Sequence, residues 1–316
     1  MTSTSKDVIR LEGYGLAVEL LPLGASLHAF EVHDAAGGRR NLVLSRGDVT
    51  RHDPFFLGAS VGRYANRIAG ASFVLDGLRH QLAANEHGNQ LHGGPAGFAT
   101  RLWTIEAVTD HSASFGLVSP DGDQGFPGRL AVIAHYELVE GGARVNYQAT
   151  TDAATVINLT THPYFRLGGE TIDGHTLTVA ASAYTPVRPD LIPTGELAAV
   201  AGTALDLREG VLLGPALAAA QADGSALGGG FDHNFVVDGE GLREHVRLVG
   251  PDGLTLTVRS DAPAVQLYSG EALGRAGVAI EPQNYPDAPN HPGFPSAVLR
   301  PGEVYRTTTE WLVHGG

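Results

Sequence analysis

Ala279-Ile280-Glu281-Pro282 sets a carboxylate at the end of an apolar run. Partial burial there would raise its pKa and let it exchange protons near neutrality. The competing reading is a strand-end acid paired with an arginine. In Asn158-Leu-Thr-Thr-His162-Pro163-Tyr164-Phe165 a histidine stands where the following proline forces the backbone extended. By itself His162 reads more readily as a structural histidine than as an acid–base group. Leu91-His92-Gly93-Gly94 and Phe231-Asp232-His233-Asn234-Phe235 each put polar groups beside glycines or between aromatics. That combination suits a sugar pocket, where hydroxyls need polar partners and ring faces need apolar cover, and it suits tight turns equally. Gly62-Arg63-Tyr64-Ala65-Asn66-Arg67-Ile68 places two arginines at i and i+4 beside an asparagine. Read as a strand, it points both arginines the same way. One of them could face a ligand, with a structural ion pair at least as good a reading for Arg63.

Other chemistries are closed off by what is missing. Without cysteine there are no disulfides, thiolate nucleophiles or cysteine-held metals, and the only lysine is Lys6 near the N-terminus. A Schiff-base site or a lysine-cradled phosphate is therefore unexpected. The 14 histidines are not spaced as His-x-x-x-His or His-Glu-x-x-His, so a metal site held on one element is not expected. Thirty-four acids against 21 bases give a formal charge of −13, which repels nucleic-acid phosphates. No apolar run approaches the ~18 residues of a membrane span. Met1-Thr-Ser-Thr-Ser-Lys-Asp7 does not read as a secretory leader, and a cytoplasmic protein is expected.

The elements that must hold these groups are strands. Val132, Ala134, Tyr136 and Leu138 alternate with Ile133, His135, Glu137 and Val139, and after Gly141-Gly142 the pattern resumes with Val145, Tyr147 and Ala149, which predicts a hairpin. Leu254, Leu256 and Val258 follow a Pro251-Asp-Gly253 turn, and Tyr305, Thr307, Thr309 and Trp311 share a face near the C-terminus. Similar runs fall at 16–32, 72–83, 101–118, 175–182 and 264–269. Only 211–222 has the composition of a helix. With 42 glycines and 18 prolines punctuating short strands, and no linker or repeat, residues 1–316 read as one all-β domain, a large antiparallel β-sandwich with few short helices. Five prolines in 281–295 rigidify a long loop that is expected to be functional, with Tyr285 and Phe294 ordering it.

Taken in order, these strings resemble the aldose 1-epimerase (mutarotase) family. Gly62-Arg-Tyr-Ala-Asn-Arg-Ile68 is similar to one of its motifs, and Leu91-His-Gly-Gly94 with Gly97-Phe98 and Trp103 to the next. Asn158-Leu-Thr-x-His162-x-Tyr-Phe165, Phe231-Asp232-His233, Gln266-Leu-Tyr-x-Gly270 and the stretch from Glu281-x-Gln283 through Leu299-Arg-Pro-Gly-Glu303 complete the series, from about residue 60 to the C-terminus. The resemblance implies a galactose mutarotase-like supersandwich and an isomerase acting on free aldohexoses without metal or organic cofactor. It implies Glu281 as general base and His162 as general acid, with Asn66, Arg67, His92, Tyr164, Asp232 and Gln266 binding the sugar. Pro282 and Ser269-Gly270-Glu271 depart from the family's commoner residues beside the expected pocket.

The chemistry is sound from below. Opening a pyranose requires taking the C1 hydroxyl proton and protonating the ring oxygen. An ionised Glu281 and a protonated His162 on opposite sides of the anomeric carbon are the expected arrangement, each positioned group contributing about 10²–10⁴-fold. Opposite charges would lower the first pKa and raise the second. The rival readings are a glycoside hydrolase using Glu281 and Asp232 as its carboxylate pair, and a non-catalytic sugar-binding or sensor protein. The expected partner is a small aldose, with the chain acting as a monomer or homodimer.

Overall fold

The computed structural model describes residues 7–33 and 38–315. Lys6 and the segment from which the N-terminus was read lie outside the described residues.

Period-two sequence becomes period-two structure. Leu130–Val139 and Gly142–Thr151 pair antiparallel down to Val139 opposite Gly142, and Gly141 closes the turn at φ 76°, where a side chain would be strained. Val132, Ala134, Tyr136 and Leu138 are buried, as are Val145, Tyr147 and Ala149, whereas Ile133 on the other face is exposed. This hairpin belongs to a nine-stranded sheet. Its order is Thr104–Val108, Ser112–Ser119, Leu130–Val139, Gly142–Thr151, Tyr305–His314, Thr255–Ser260, Arg243–Val249, Thr176–Val179 and Val211–Leu212. A six-stranded sheet runs Tyr164–Phe165, Val278–Gln283, Ala264–Tyr268, Asp232–Val237, Ala181–Tyr184 and Ala198–Ala199. Ile9–Gly13, Leu16–Leu21, Ser26–His33 and Arg39–Asn41 form a third, four-stranded meander. All pairings within these three sheets are antiparallel.

One apolar cluster draws on all three sheets. It takes Phe30 from the meander, Tyr136, Val258 and Trp311 from the large sheet, and Phe165, Phe235, Val265 and Ile280 from the six-stranded sheet. The expected helix appears as Leu213–Asp223, stopped by Gly224 at φ 81°, and its Leu213, Leu217 and Ala220 are buried. No helix among the described residues is long and apolar enough to cross a membrane.

The proline-rich loop is ordered, as its aromatics suggest, with Tyr285 and Phe294 edge-on at 5.0 Å and both buried. The Asp287 backbone N–H donates to the Arg67 carbonyl at 2.8 Å, and the Tyr64 hydroxyl donates to the Tyr285 carbonyl at 2.8 Å. Asn158 ties in the third segment: its Oδ1 accepts from the Asn284 N–H while its Nδ2 donates to the Ala65 carbonyl. The loop beyond residue 283 is thus a brace behind the 62–68 segment and not a pocket wall.

A second buried histidine population carries a stability consequence. His245, fully buried on the Arg243–Val249 strand, has its pKa held down to about 3 by burial and by Arg243. A depressed histidine pKa means that the unfolded chain takes up a proton below about pH 6.5 that the folded chain refuses, so stability is lost as pH falls. Between pH 7.5 and 4.5, His245→Phe should therefore lose about 2 kcal/mol less stability than the parent in urea unfolding. Parallel pH dependences would show that His245 is charged in the fold.

Candidate active site

Strand alternation sorts the six-stranded sheet into an apolar face and a polar one. Val278 and Ile280 join the core, so Ala279, Glu281 and Gln283 face the other way. Val265 and Leu267 likewise turn Gln266 and Tyr268 outward, and Phe235 and Val237 turn out Asp232 and Asn234. The register aligns these residues in rows: Asn234 pairs with Gln266 and Gln266 with Glu281, while Asp232, Tyr268, Ala279 and Tyr164 lie abreast one pleat away.

A cavity of about 670 Å³ opens over this polar face. Asn66, Arg67, His92, His162, Tyr164, Asp232, Gln266 and Glu281 all line it. The eight residues singled out in the sequence therefore converge. A hollow of similar size, about 740 Å³, lies over the outer face of the large sheet around Thr104, Val118 and Ile133, and holds none of them.

At the floor, His162 Nε2 lies 3.3 Å from Glu281 Oε1, and both residues are almost wholly buried. His162 is fixed by its backbone, since its N–H donates to the Ala59 carbonyl and its carbonyl accepts from the Gly58 N–H, each at 2.9 Å. Its Nδ1 is buried and makes no hydrogen bond to another residue. Burial lowers the His162 pKa to about 4 and raises that of Glu281 well above the usual carboxylate range, with the Asp232 charge adding to the latter. Burial thus favours the uncharged forms of both groups. His162 and Glu281 are direct neighbours on the cavity floor.

The 62–68 string is not a strand throughout, because Asn66 is left-handed at φ 63°. Its two arginines consequently part company. Arg63 is buried away from the pocket and donates to the carbonyls of Pro127, Gly128, Ser119 and Pro120 and to Ser119 Oγ. It is structural, though carbonyls and a hydroxyl take the place of the expected ion-pair partner. Arg67 reaches the pocket but is also ion-paired there, its Nε and Nη2 donating to the two oxygens of Glu86 at 2.5 and 2.8 Å. That bidentate fork holds the guanidinium flat and largely spends its charge.

Asn66 and His92 lock one another. The Asn66 N–H donates to His92 Nδ1 at 3.1 Å, and the His92 N–H returns to the Asn66 carbonyl at 3.0 Å. A neutral imidazole that accepts at Nδ1 must carry its proton on Nε2. Burial pushes the His92 pKa well down, so the neutral form prevails and Nε2–H is a donor. Asp232 is placed by Gln266, whose Nε2 donates to Asp232 Oδ1 at 2.5 Å, and burial raises the Asp232 pKa. His233 takes no part in the pocket lining; its Nδ1 accepts the Asp232 N–H and fixes that backbone. Tyr164 packs its ring 5.1 Å from that of His162.

His92, His162 and Glu281 bring ligand-type atoms within 4.8 Å of one another, a cluster that sequence spacing could not reveal because three separate segments supply it. The tautomer lock speaks against a metal there. Coordination through His92 Nε2 would require moving the proton to Nδ1 and breaking the bond from Asn66.

Sequence reasoning missed several walls. Phe56 carries no acid–base chemistry, Tyr268 did not stand out from the other aromatics, and Glu86 is recognisable only as the partner of Arg67. Glu271, noted as a departure, does line the pocket: its Oε1 accepts from Ser269 Oγ at 2.6 Å and fills the space beside Gly230, where a Cβ would lie 1.8 Å away.

Residues 7–311 match the family model described as aldose 1-epimerase. The chain is similar to the galactose mutarotase of Homo sapiens, 40% identical over 96% of this chain and 92% of that one. It is 38% identical to the aldose 1-epimerase of Escherichia coli K12, over 94% of this chain and 92% of that one. Among solved structures it resembles an aldose epimerase homologue from C. elegans, with TM-score 0.90, 28% identity and 98% of both chains covered. It also resembles a galactose 1-epimerase from Lactobacillus acidophilus NCFM, with TM-score 0.86, 29% identity, and 100% and 97% covered.

Proposed function

The chain belongs to the aldose 1-epimerase family, and from that premise we propose that its pocket interconverts the α and β anomers of a free aldohexose. In this reading one domain binds the sugar, Glu281 is the general base and His162 the general acid. The observation that carries it is the 3.3 Å contact between His162 Nε2 and Glu281 Oε1 on the cavity floor. The C1 hydroxyl oxygen and the ring oxygen are bonded to the same carbon. A base for one and an acid for the other must therefore be neighbours.

The pair shares one transferable proton. Burial raises the Glu281 pKa and so favours that proton on the carboxyl. Passing it to His162 yields carboxylate and imidazolium without any exchange with solvent. A bound sugar favours the second form, since its C1 hydroxyl donates to Glu281 and its ring oxygen accepts from His162. Glu281 then removes the C1 proton as His162 protonates the ring oxygen, the C1–ring-oxygen bond breaks, and an open-chain aldehyde results. Rotation about C1–C2 presents the other carbonyl face, and reversal of both transfers closes the ring as the other anomer. Having no partner at Nδ1, the imidazolium is poorly stabilised and gives up its proton readily.

The remaining residues position the ring. His92 Nε2–H donates to one hydroxyl, the Asp232 carboxyl accepts from another, and Arg67, Asn66 and Gln266 complete the polar cover, with Tyr164 supplying an apolar wall. Exchange NMR of the anomeric protons of glucose and galactose at equilibrium tests this reading. Cross-peaks between α and β signals should grow with protein concentration. The hydrolase alternative requires release of reducing sugar from an oligosaccharide. It is disfavoured because Glu281 adjoins a histidine, whereas Asp232 stands two strands away and is bonded to Gln266.

Two further outcomes follow. Because Glu86 already occupies Arg67, and the acids Asp232 and Glu271 also line the pocket, a phosphate dianion meets no unpaired arginine or lysine among the described lining residues. The kcat/KM for glucose should therefore exceed that for glucose 6-phosphate by at least about tenfold, and a reversed ratio would contradict the charge reading. Activity should also survive EDTA. Loss on chelation with recovery on adding zinc would mean that His92 adopts the other tautomer.

A further inference from the structure

Phe56 is a bulky residue in the left-handed region, at φ 60°. Such backbone is costly for a non-glycine residue and persists only where its surroundings enforce it. Here the enforcement is visible. The Phe56 N–H donates to the Asp53 carbonyl, the Phe55 N–H donates to Asp53 Oδ1, and the Ala59 N–H closes onto the Phe56 carbonyl. The same turn supplies Gly58 and Ala59, whose backbones hold that of His162 on both sides. Gly58 has no room for a side chain, since a Cβ would lie 1.9 Å from the Leu27 carbonyl oxygen.

This strained turn delivers an aromatic ring to the pocket. The Phe56 ring lies 5.9 Å from that of His162, within 25° of parallel, and 4.7 Å from that of His92. It also meets His52 edge-on at 5.1 Å. One short segment thus grips His162 by backbone and by ring.

We propose that Phe56 is a positioning residue for His162, holding the imidazole plane toward Glu281 and keeping water off its face so that the imidazolium remains a strong acid. The proposal rests on His162 being the acid of the reaction. Other groups face the same imidazole: Glu281 across 3.3 Å, Tyr164 at 5.1 Å and His92 at 5.4 Å between ring centroids. Arg67 and His162 both act on the neighbouring His92 and lower its pKa. Of these rings Phe56 lies nearest to parallel with the imidazole, at 25° against 31° for Tyr164 and 79° for His92, and its loss should rehydrate the ring.

Phe56→Leu keeps apolar bulk without the flat ring. Phe56→Gly removes the ring and relieves the positive φ, so this variant should fold at least as readily as its bulk loss allows. The measurement is a histidine NMR titration from pH 8 to 3.5, with the His162 signal assigned by its disappearance in His162→Asn, alongside the pH profile of kcat/KM. In both variants the His162 midpoint should rise by about one pH unit as water returns, the acid limb of the profile should move with it, and kcat should fall about tenfold. A His162 titration and acid limb that stay in place while only the melting temperature changes would overturn the proposal. The titration reads the imidazole's surroundings directly. A protein whose titration shifts in Phe56→Gly but whose wild type does not exchange anomers would refute the functional reading instead.

Discussion

Glu281→Gln should lower kcat for anomer exchange by about 10²-fold or more with the fold intact. Glutamine preserves the size and most of the hydrogen bonding of the residue opposite Gln266, but it cannot take the C1 proton. Stability supplies the control. Burial raises the Glu281 pKa, so its contribution to stability is fully present below about pH 4.3 and is lost as pH rises through the folded value. At pH 8 the parent must either carry a proton it would not hold when unfolded or bury a charge. The glutamine variant has neither cost and should melt at the same temperature or higher. Activity lost from a protein of equal or greater stability can only be chemical. If kcat stayed near that of the parent, the base would be another carboxylate, and Asp232, next to Gln266, would be the first to replace.

His162→Asn should cost about as much, and the two substitutions together should cost little beyond the worse single one, because the pair works as a unit with one shared proton. The pH dependence belongs to that pair as well. As pH falls toward the lowered His162 value of about 4, the pair takes up a second proton and Glu281 can no longer accept one, so the rate falls. At high pH the pair loses its single proton and His162 has none to give, so the rate falls again. In His162→Asn the limb near pH 4 should vanish, which steady-state polarimetry between pH 3.5 and 9 would detect. His92→Asn and Asp232→Asn, by contrast, disturb how the sugar sits and should change KM together with kcat. A double variant whose loss equals the product of the two single losses would show that the groups act independently.

The strands were legible because their burial alternates. Val132, Ala134, Tyr136 and Leu138 face the core as their spacing demands, and Gly141 turns the hairpin that its neighbours predict. The site residues were legible as types, and the family resemblance joined them. Their contact was not, since it depends on the pairing of Tyr164 with Ala279 across strands distant in sequence. The two arginines of the 62–68 string were misread as pointing together because a left-handed Asn66 breaks the alternation between them. Attraction between Glu281 and His162 can be imagined from residue types, but the desolvation that raises one pKa and lowers the other depends on walls such as Phe56, whose position nothing in Asp53-Pro54-Phe55-Phe56 discloses. The loop from Asn284 to Pro295 was recognised as ordered, yet its role as a brace appears only in the bonds of Asp287 and Asn284 to the segments in front of it.

In the proposed mechanism the adjoining Glu281 and His162 open the sugar ring. The most direct measurement is the optical rotation of freshly dissolved α-galactose and α-glucose, followed with the parent protein, with the Glu281→Gln/His162→Asn double variant and with buffer alone. The parent should bring the rotation rapidly to its equilibrium value, and the folded double variant, its secondary structure verified by circular dichroism, should be slower by about 10²-fold or more. A folded double variant that equilibrates either sugar as fast as the parent would contradict that mechanism.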